Sequence, residues 1–203
     1  MGNGWRTASA TVFALGLTGG AWGENRPSIA VAVYNQSAVP DDCMARAKDD
    51  VVRIYGDAGI GVIWMGPAAV MPVATFAIRL RITRRPIDAD HRVMGTAIVA
   101  INDTNGSAVV FYEQVLKSAH ESKQDVGRLL AYAMAHEMGH LLLRYPAHSP
   151  SGIMRPEWDG DDLRHIASGA LQFNAVQANA IRAKVSGCCT AARTSAGLPL
   201  SKP

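Results

Sequence analysis

The hydrophobic and polar positions divide the chain into short strand-like runs that lead into one long helical stretch. Ile29–Tyr34 is an unbroken apolar, β-rich run and predicts a buried strand. Pro40-Asp41-Asp42 supplies a helix start, and Met44, Ala47, Val51, Ile54 and Tyr55 then recur at helical spacing until Gly56. Gly59–Trp64 predicts a second strand. Phe76–Ile82 alternates apolar and polar and predicts a third, half-exposed one; Met94–Ile101 is a fourth. The turn signal Asp103-Thr-Asn-Gly106 leads into a fifth strand over Ala108–Tyr112. Asp125 is the N-cap expected for a helix reaching about Arg144, with Leu130, Ala133, Met134 and Leu141 on its core side. Pro146 disfavours helical geometry at Tyr145 and ends it. An irregular stretch rich in Pro and Gly follows, then a last helix from about Asn174 to Val185. The tail beyond Cys189 reads as disordered, and no internal repeat is visible.

Composition sharpens this picture without redirecting it. In 203 residues, 48% are hydrophobic and 18% charged, enough for one cored domain or one with two small lobes. A net charge of +3 with 6% aromatics lacks the basic, aromatic-interleaved stripe of a nucleic-acid surface, so no nucleic-acid partner is expected. Arg79, Arg81, Arg84 and Arg85 read as the solvent side of the third strand. At the N-terminus, Arg6 precedes an uncharged stretch with Val12–Leu17, and Ala21-Trp22-Gly23 offers a small-residue cleavage site. That order predicts a signal peptide over 1–23 and a secreted or periplasmic protein, with no membrane contact after its removal. Cys43 has a natural partner in Cys188 or Cys189, since adjacent cysteines bridge only under strain; three unpaired thiols are the competing reading.

Candidate chemistry concentrates in His136-Glu137-Met138-Gly139-His140. On a helix, positions i and i+4 stand nearly one above the other, so two imidazoles can close on one metal ion from a single rigid element. Glu137, slightly rotated from them, reaches a water on that metal. This is the arrangement of a metal-assisted hydrolase with a carboxylate base. An amphipathic helix that happens to carry two histidines is the plain alternative. Catalytic zinc takes three protein ligands, so a third is required downstream. His148, just past the helix stop, is the leading candidate, Glu157 its main rival, and Asp159, Asp161 and Asp162 weaker ones. Asp103 and Asn105 read as a solvated turn more readily than as a calcium site.

The stretch from Ala135 to Pro156 resembles the metzincin clan of zinc metalloproteases. The resemblance rests on His136-Glu137-Met-Gly-His140, on the downstream His148, and on Ile153-Met154-Arg155-Pro156, which is similar to the matrixin Met-turn. It implies an α+β fold: a twisted, mostly parallel five-stranded sheet, an active-site helix, and a small C-terminal subdomain ending in a helix. The domain would occupy 24–190, with lobes 24–144 and 145–190 and a disordered tail 191–203. It further implies one catalytic Zn2+ on His136, His140 and His148, Glu137 as general base, and Met154 as an apolar floor after a turn at Gly152. A peptide or protein substrate would lie along the edge strand within Met94–Ile101, touching Gly95, Thr96 and Ala97. Two departures stand out. The clan's helix-breaking glycine is Leu143 here, and His148 falls two residues late, which predicts a helix about half a turn longer, ended by Pro146. Arg155 and Pro156 stand where some families carry a tyrosine, leaving Tyr145 as a candidate at the oxyanion. The competing functional readings are a peptidase with Glu157 as third ligand and a non-catalytic, zinc-stabilised peptide-binding protein.

Overall fold

A computed structural model describes residues 26–70, 75–84, 94–99, 105–143 and 147–196. The expected signal segment, Arg85, Asp103, Tyr145, Pro146 and residues 197–203 lie outside them.

The architecture is α+β. Five strands form one sheet: β1 (Ser28–Asn35), β2 (Gly61–Met65), β3 (Phe76–Thr83), β4 (Gly95–Val99) and β5 (Asn105–Phe111). Their order is β2-β1-β3-β5-β4, parallel throughout except for β4, which runs antiparallel to β5 at the edge. β1 is buried across Ile29–Val33, as its unbroken apolar run predicts for a parallel strand. In β3, Ile78, Leu80 and Ile82 enter the core while Arg79 and Arg81 face solvent. Arg84 is also exposed, with its Nε 3.8 Å from Glu113.

Two long helices cover one side of the sheet. α1 (Asp41–Asp57) follows Pro40 and buries the five residues whose spacing predicts it, from Met44 to Tyr55. The hydroxyl of Tyr55 donates to the Ala135 carbonyl over 3.0 Å, which ties α1 to the central helix. That helix (Val126–Leu142) starts at Asp125, whose carboxylate accepts the Arg128 amide at 2.9 Å. Nearly all of its residues are buried, and Tyr132, Leu129, Leu130 and Met134 are among the largest fully enclosed side chains. Each such side chain contributes about 1.5–3 kcal/mol relative to exposure. Ile153, Met154, Phe173 and Ile181 belong to the same hydrophobic cluster as Ile29 and Leu80, so residues beyond 145 share one core with the sheet.

Four expectations need correction. The sequence pattern left Glu113–Gln124 unassigned, but a further helix, α2 (Tyr112–Ser122), follows β5 directly. The central helix is therefore α3. Tyr112, read as strand, already belongs to α2, whose only buried positions are Tyr112, Val115 and Ala119. Second, the stretch after His148 is not wholly irregular: α4 (Gly160–Ser168) begins at a capping box of Asp159 and Asp162. Third, α5 (Ala175–Ala196) extends well past Val185 into the expected tail. Its apolar periodicity stops there, and the helix runs on through Ser186, Gly187, Cys188 and Thr190, residues of modest or poor helix propensity that gave no signal for it. Fourth, no disulfide joins Cys43 to Cys188. Cys43 lies on α1 with its sulfur 4.0 Å from the Tyr112 hydroxyl, whereas Cys188 lies on α5, which packs on α3 and β3.

Candidate metal centre

The helix α3 presents His136, Glu137 and His140 toward a cleft on the one side that the core leaves open. It ends at Leu142, earlier than the predicted Arg144. Leu143 leaves the helix in extended geometry, φ −100° and ψ 150°, so no left-handed residue is needed where the metzincin glycine would stand.

Three imidazoles meet at the mouth of this cleft. Ligand nitrogens of His136, His140 and His148 all lie within 4.8 Å of one another. The Nε2 atoms of His136 and His140 are 3.1 Å apart. Two nitrogens each about 2.05 Å from a common zinc ion and separated this way would subtend about 98°, close to a tetrahedral angle. The donor set therefore fits a metal ion that accepts imidazole nitrogen. Nδ1 of His136 lies 2.8 Å from the Ile153 carbonyl, and a carbonyl only accepts, so Nδ1 carries the proton and Nε2 turns its lone pair to the centre. Burial lowers the His136 pKa, and the neighbouring His148 adds to this. Burial, then the charges of His136 and His148, take His140 down to about 4. Both rings are thus held in the neutral, ligating form.

Glu137 is 6% exposed, and burial pushes its carboxyl up to about 8. Gly95 of β4 leaves the room that it occupies: a Cβ at Gly95 would stand 2.6 Å from Glu137 Cγ. Gly95, Thr96 and Ala97 line the cleft, opposite the histidines, with Met94 at the same edge. Met154 is fully buried against α3, where a Cβ on Gly139 would meet its sulfur at 2.5 Å. The turn ahead of it depends on Gly152, which adopts φ +80° with the Gln172 carbonyl 2.6 Å from where a Cβ would be.

The rival third ligands are placed differently. Glu157 lines the cleft but is not in the group of converging ligand atoms, which consists of the three histidines. Asp159 accepts the amides of Asp161 and Asp162 at the start of α4, at 2.9 and 3.0 Å. Asp162 also holds Arg155 at 2.9 Å, Asp159 pairs with the same guanidinium, and Asp161 pairs with Arg164. The Asp159 and Asp162 carboxylates cap α4, and that of Asp161 is taken up by Arg164.

Two parts of the cleft escape the sequence reading. Trp158 lies edge-on to His136, centroids 5.9 Å apart, and its indole N–H donates to the Ile153 carbonyl at 3.2 Å. No local pattern marks it. The other part is a wall from α2, formed by Gln114, Lys117, Ser118 and Glu121. Their helical spacing is a polar stripe that would have been found had α2 been recognised. Together these walls enclose about 880 Å³.

No helix among the described residues is long and apolar enough to cross a membrane. No protein-family model matches the chain, and no curated protein matches it.

Proposed function

We propose that the chain is a zinc-dependent endopeptidase of metzincin type, exported after removal of residues 1–23, and that it cleaves peptide or protein substrates laid along β4. The observation that carries this reading is the convergence of His136, His140 and His148 at a cleft into which α3 also directs the buried Glu137. A structural metal site has no use for a base at that position; a hydrolase does. β4 is the last strand in the sheet order, so an extended peptide can add to its edge through main-chain hydrogen bonds.

The chain's own residues divide the work. His136, His140 and His148 would hold the zinc through neutral imidazole nitrogens, with His136 oriented by the Ile153 carbonyl. Zinc bound there supplies Lewis acidity toward a water and the scissile carbonyl. Burial alone favours the neutral carboxyl of Glu137, but the charge of a cation on the three histidines would favour its ionised form, in which it would accept the proton of the attacking water and return it to the leaving amine. Gly95, Thr96 and Ala97 offer backbone groups to the substrate, and Met154 closes the floor under the ligands.

The test compares the chain from Glu24 to Pro203 with its Glu137→Ala variant. Bound zinc is measured by elemental analysis and cleavage of a diverse peptide library by mass spectrometry. Stoichiometric zinc in both, with cleavage only in the wild type and lost to a chelator, is the expected result. Zinc in both with cleavage in neither would replace this reading with a non-catalytic, zinc-stabilised binding protein.

A further inference from the structure

The geometry points to Trp158 as a positioning residue that fixes the ring of His136 for metal binding. This inference rests on the metal centre proposed above but not on its catalytic activity.

The Ile153 carbonyl has two lone pairs, and two ring N–H groups use them. His136 Nδ1 approaches it at 2.8 Å and Trp158 Nε1 at 3.2 Å. Trp158 is thus bound to the very atom that selects the His136 tautomer. Its indole also meets the His136 ring edge to face, with an interplanar angle of 84°. Rotation of the imidazole away from the carbonyl would therefore have to pass the indole. Trp158 also packs edge-on against Tyr132, centroids 6.3 Å apart, one turn earlier on α3. The indole thus contacts two residues of the helix that carries the candidate ligands.

The carbonyl itself sits on a held segment. The Ile153 amide donates to the Gln172 carbonyl at 3.1 Å, and the Ser149 amide donates to the Met154 carbonyl at 3.0 Å. Backbone hydrogen bonds thus fix the turn in position, and Trp158 adds a side-chain donor to its acceptor atom. Loss of the direct hydrogen-bond partner of a ligating histidine typically costs about 10–100-fold in metal affinity, and Trp158 acts one step further out, through that partner, the Ile153 carbonyl.

The test uses the full chain with Trp158→Phe and Trp158→Leu, and Tyr132→Phe as a control that keeps its ring. Zinc dissociation constants come from competition with a chromophoric chelator, and ligand geometry from the visible absorption of Co2+-loaded protein. Melting of the zinc-free chains is recorded separately. Trp158→Phe, which keeps a ring and loses the N–H, is expected to weaken zinc binding about fivefold, and Trp158→Leu about tenfold, at the lower end of that range. The Co2+ bands should shift in both, while Tyr132→Phe stays within about twofold of wild type. Lower melting of the zinc-free variants with zinc affinity and Co2+ bands unchanged would overturn the proposal, because Trp158 would then serve the core alone. Should Trp158→Leu fail to fold, Trp158→Phe decides by itself. A wild-type chain that binds no zinc overturns both this role and the metal centre. Affinities in the expected order without any peptide cleavage would uphold this role and remove only the peptidase reading.

Discussion

Replacing Gly95 by alanine tests how tightly β4 and the candidate base are built against each other. The added methyl would stand 2.5 Å from the Val109 carbonyl oxygen and 2.6 and 2.7 Å from Cγ and Cδ of Glu137. Ordinary contact begins near 3.4 Å, so about 0.7–0.9 Å must be made up by movement. Val109 belongs to β5, which is paired on both sides, and Glu137 projects from the most enclosed helix of the fold. The edge strand or the carboxylate therefore has to move, and each movement shifts the base relative to a peptide on β4. A misplacement near 1 Å lowers turnover by about 100-fold, so kcat/KM should fall by about that factor, or about 2.7 kcal/mol. Overpacking costs about 1–3 kcal/mol, offset by about 0.5–1 kcal/mol for removing a strand glycine. The net loss of up to about 2.5 kcal/mol should lower Tm by up to about 10 °C in a domain of this size. Zinc content should not change, since the three histidines are untouched. The assay combines hydrolysis of a peptide selected from the library, elemental analysis and calorimetry. Activity within about threefold of wild type at an unchanged Tm would refute the argument that Gly95 houses Glu137.

Gly139→Ala sets helix propensity against packing. The methyl would meet the Met154 sulfur at 2.5 Å and Phe173 Cε1 at 3.2 Å in a fully buried site. Overpacking of about 1–3 kcal/mol should exceed the gain of about 1 kcal/mol in propensity, and a raised Tm would show that Met154 repacks freely. His148→Ala should abolish stoichiometric zinc while Glu157→Ala retains it; the reverse pattern in elemental analysis would move the third ligand to Glu157. The zinc-free chain carries a pH signature from Glu137, whose folded pKa of about 8 lies above its reference of 4.5. Below 4.5 the carboxyl is neutral in both states, and between 4.5 and 8 only the unfolded chain ionises readily, so its share of stability falls as pH rises. His140, depressed to about 4 from 6.5, acts in the opposite sense only below 6.5. Denaturant titrations should therefore show zinc-free Glu137→Gln gaining on wild type between about pH 6.5 and pH 8. A constant difference across that window would contradict the burial of the carboxyl.

Legibility of the fold followed the range of the interactions. α1 was readable because Met44, Ala47, Val51, Ile54 and Tyr55 declare their buried side within a few turns, and the structure buries all five. The start of α3 was readable because Asp125 caps it through its own side chain. α2 was obscured because its first residue continues the apolar run of β5, and α4 because its acidic cap looks like a set of ligands. The end of α3 was misplaced because Leu143 leaves the helix through ordinary extended dihedrals that no residue type announces.

The same division runs through the site. The amino-acid sequence alone determined His136, Glu137 and His140, since their relation is the geometry of a single helix and needs no knowledge of the rest of the chain. It left the third ligand among His148, Glu157, Asp159, Asp161 and Asp162, and only tertiary structure brought the His148 ring to 4.7 Å from that of His140, centre to centre. Tertiary structure alone decided that Gly95 faces Glu137, that Met154 rests on Gly139, and that Trp158 shares a carbonyl with His136. Each of these contacts joins separate elements, and their registry is set by how side-chain volumes fill a common core. Periodicity along one element carries no record of that packing.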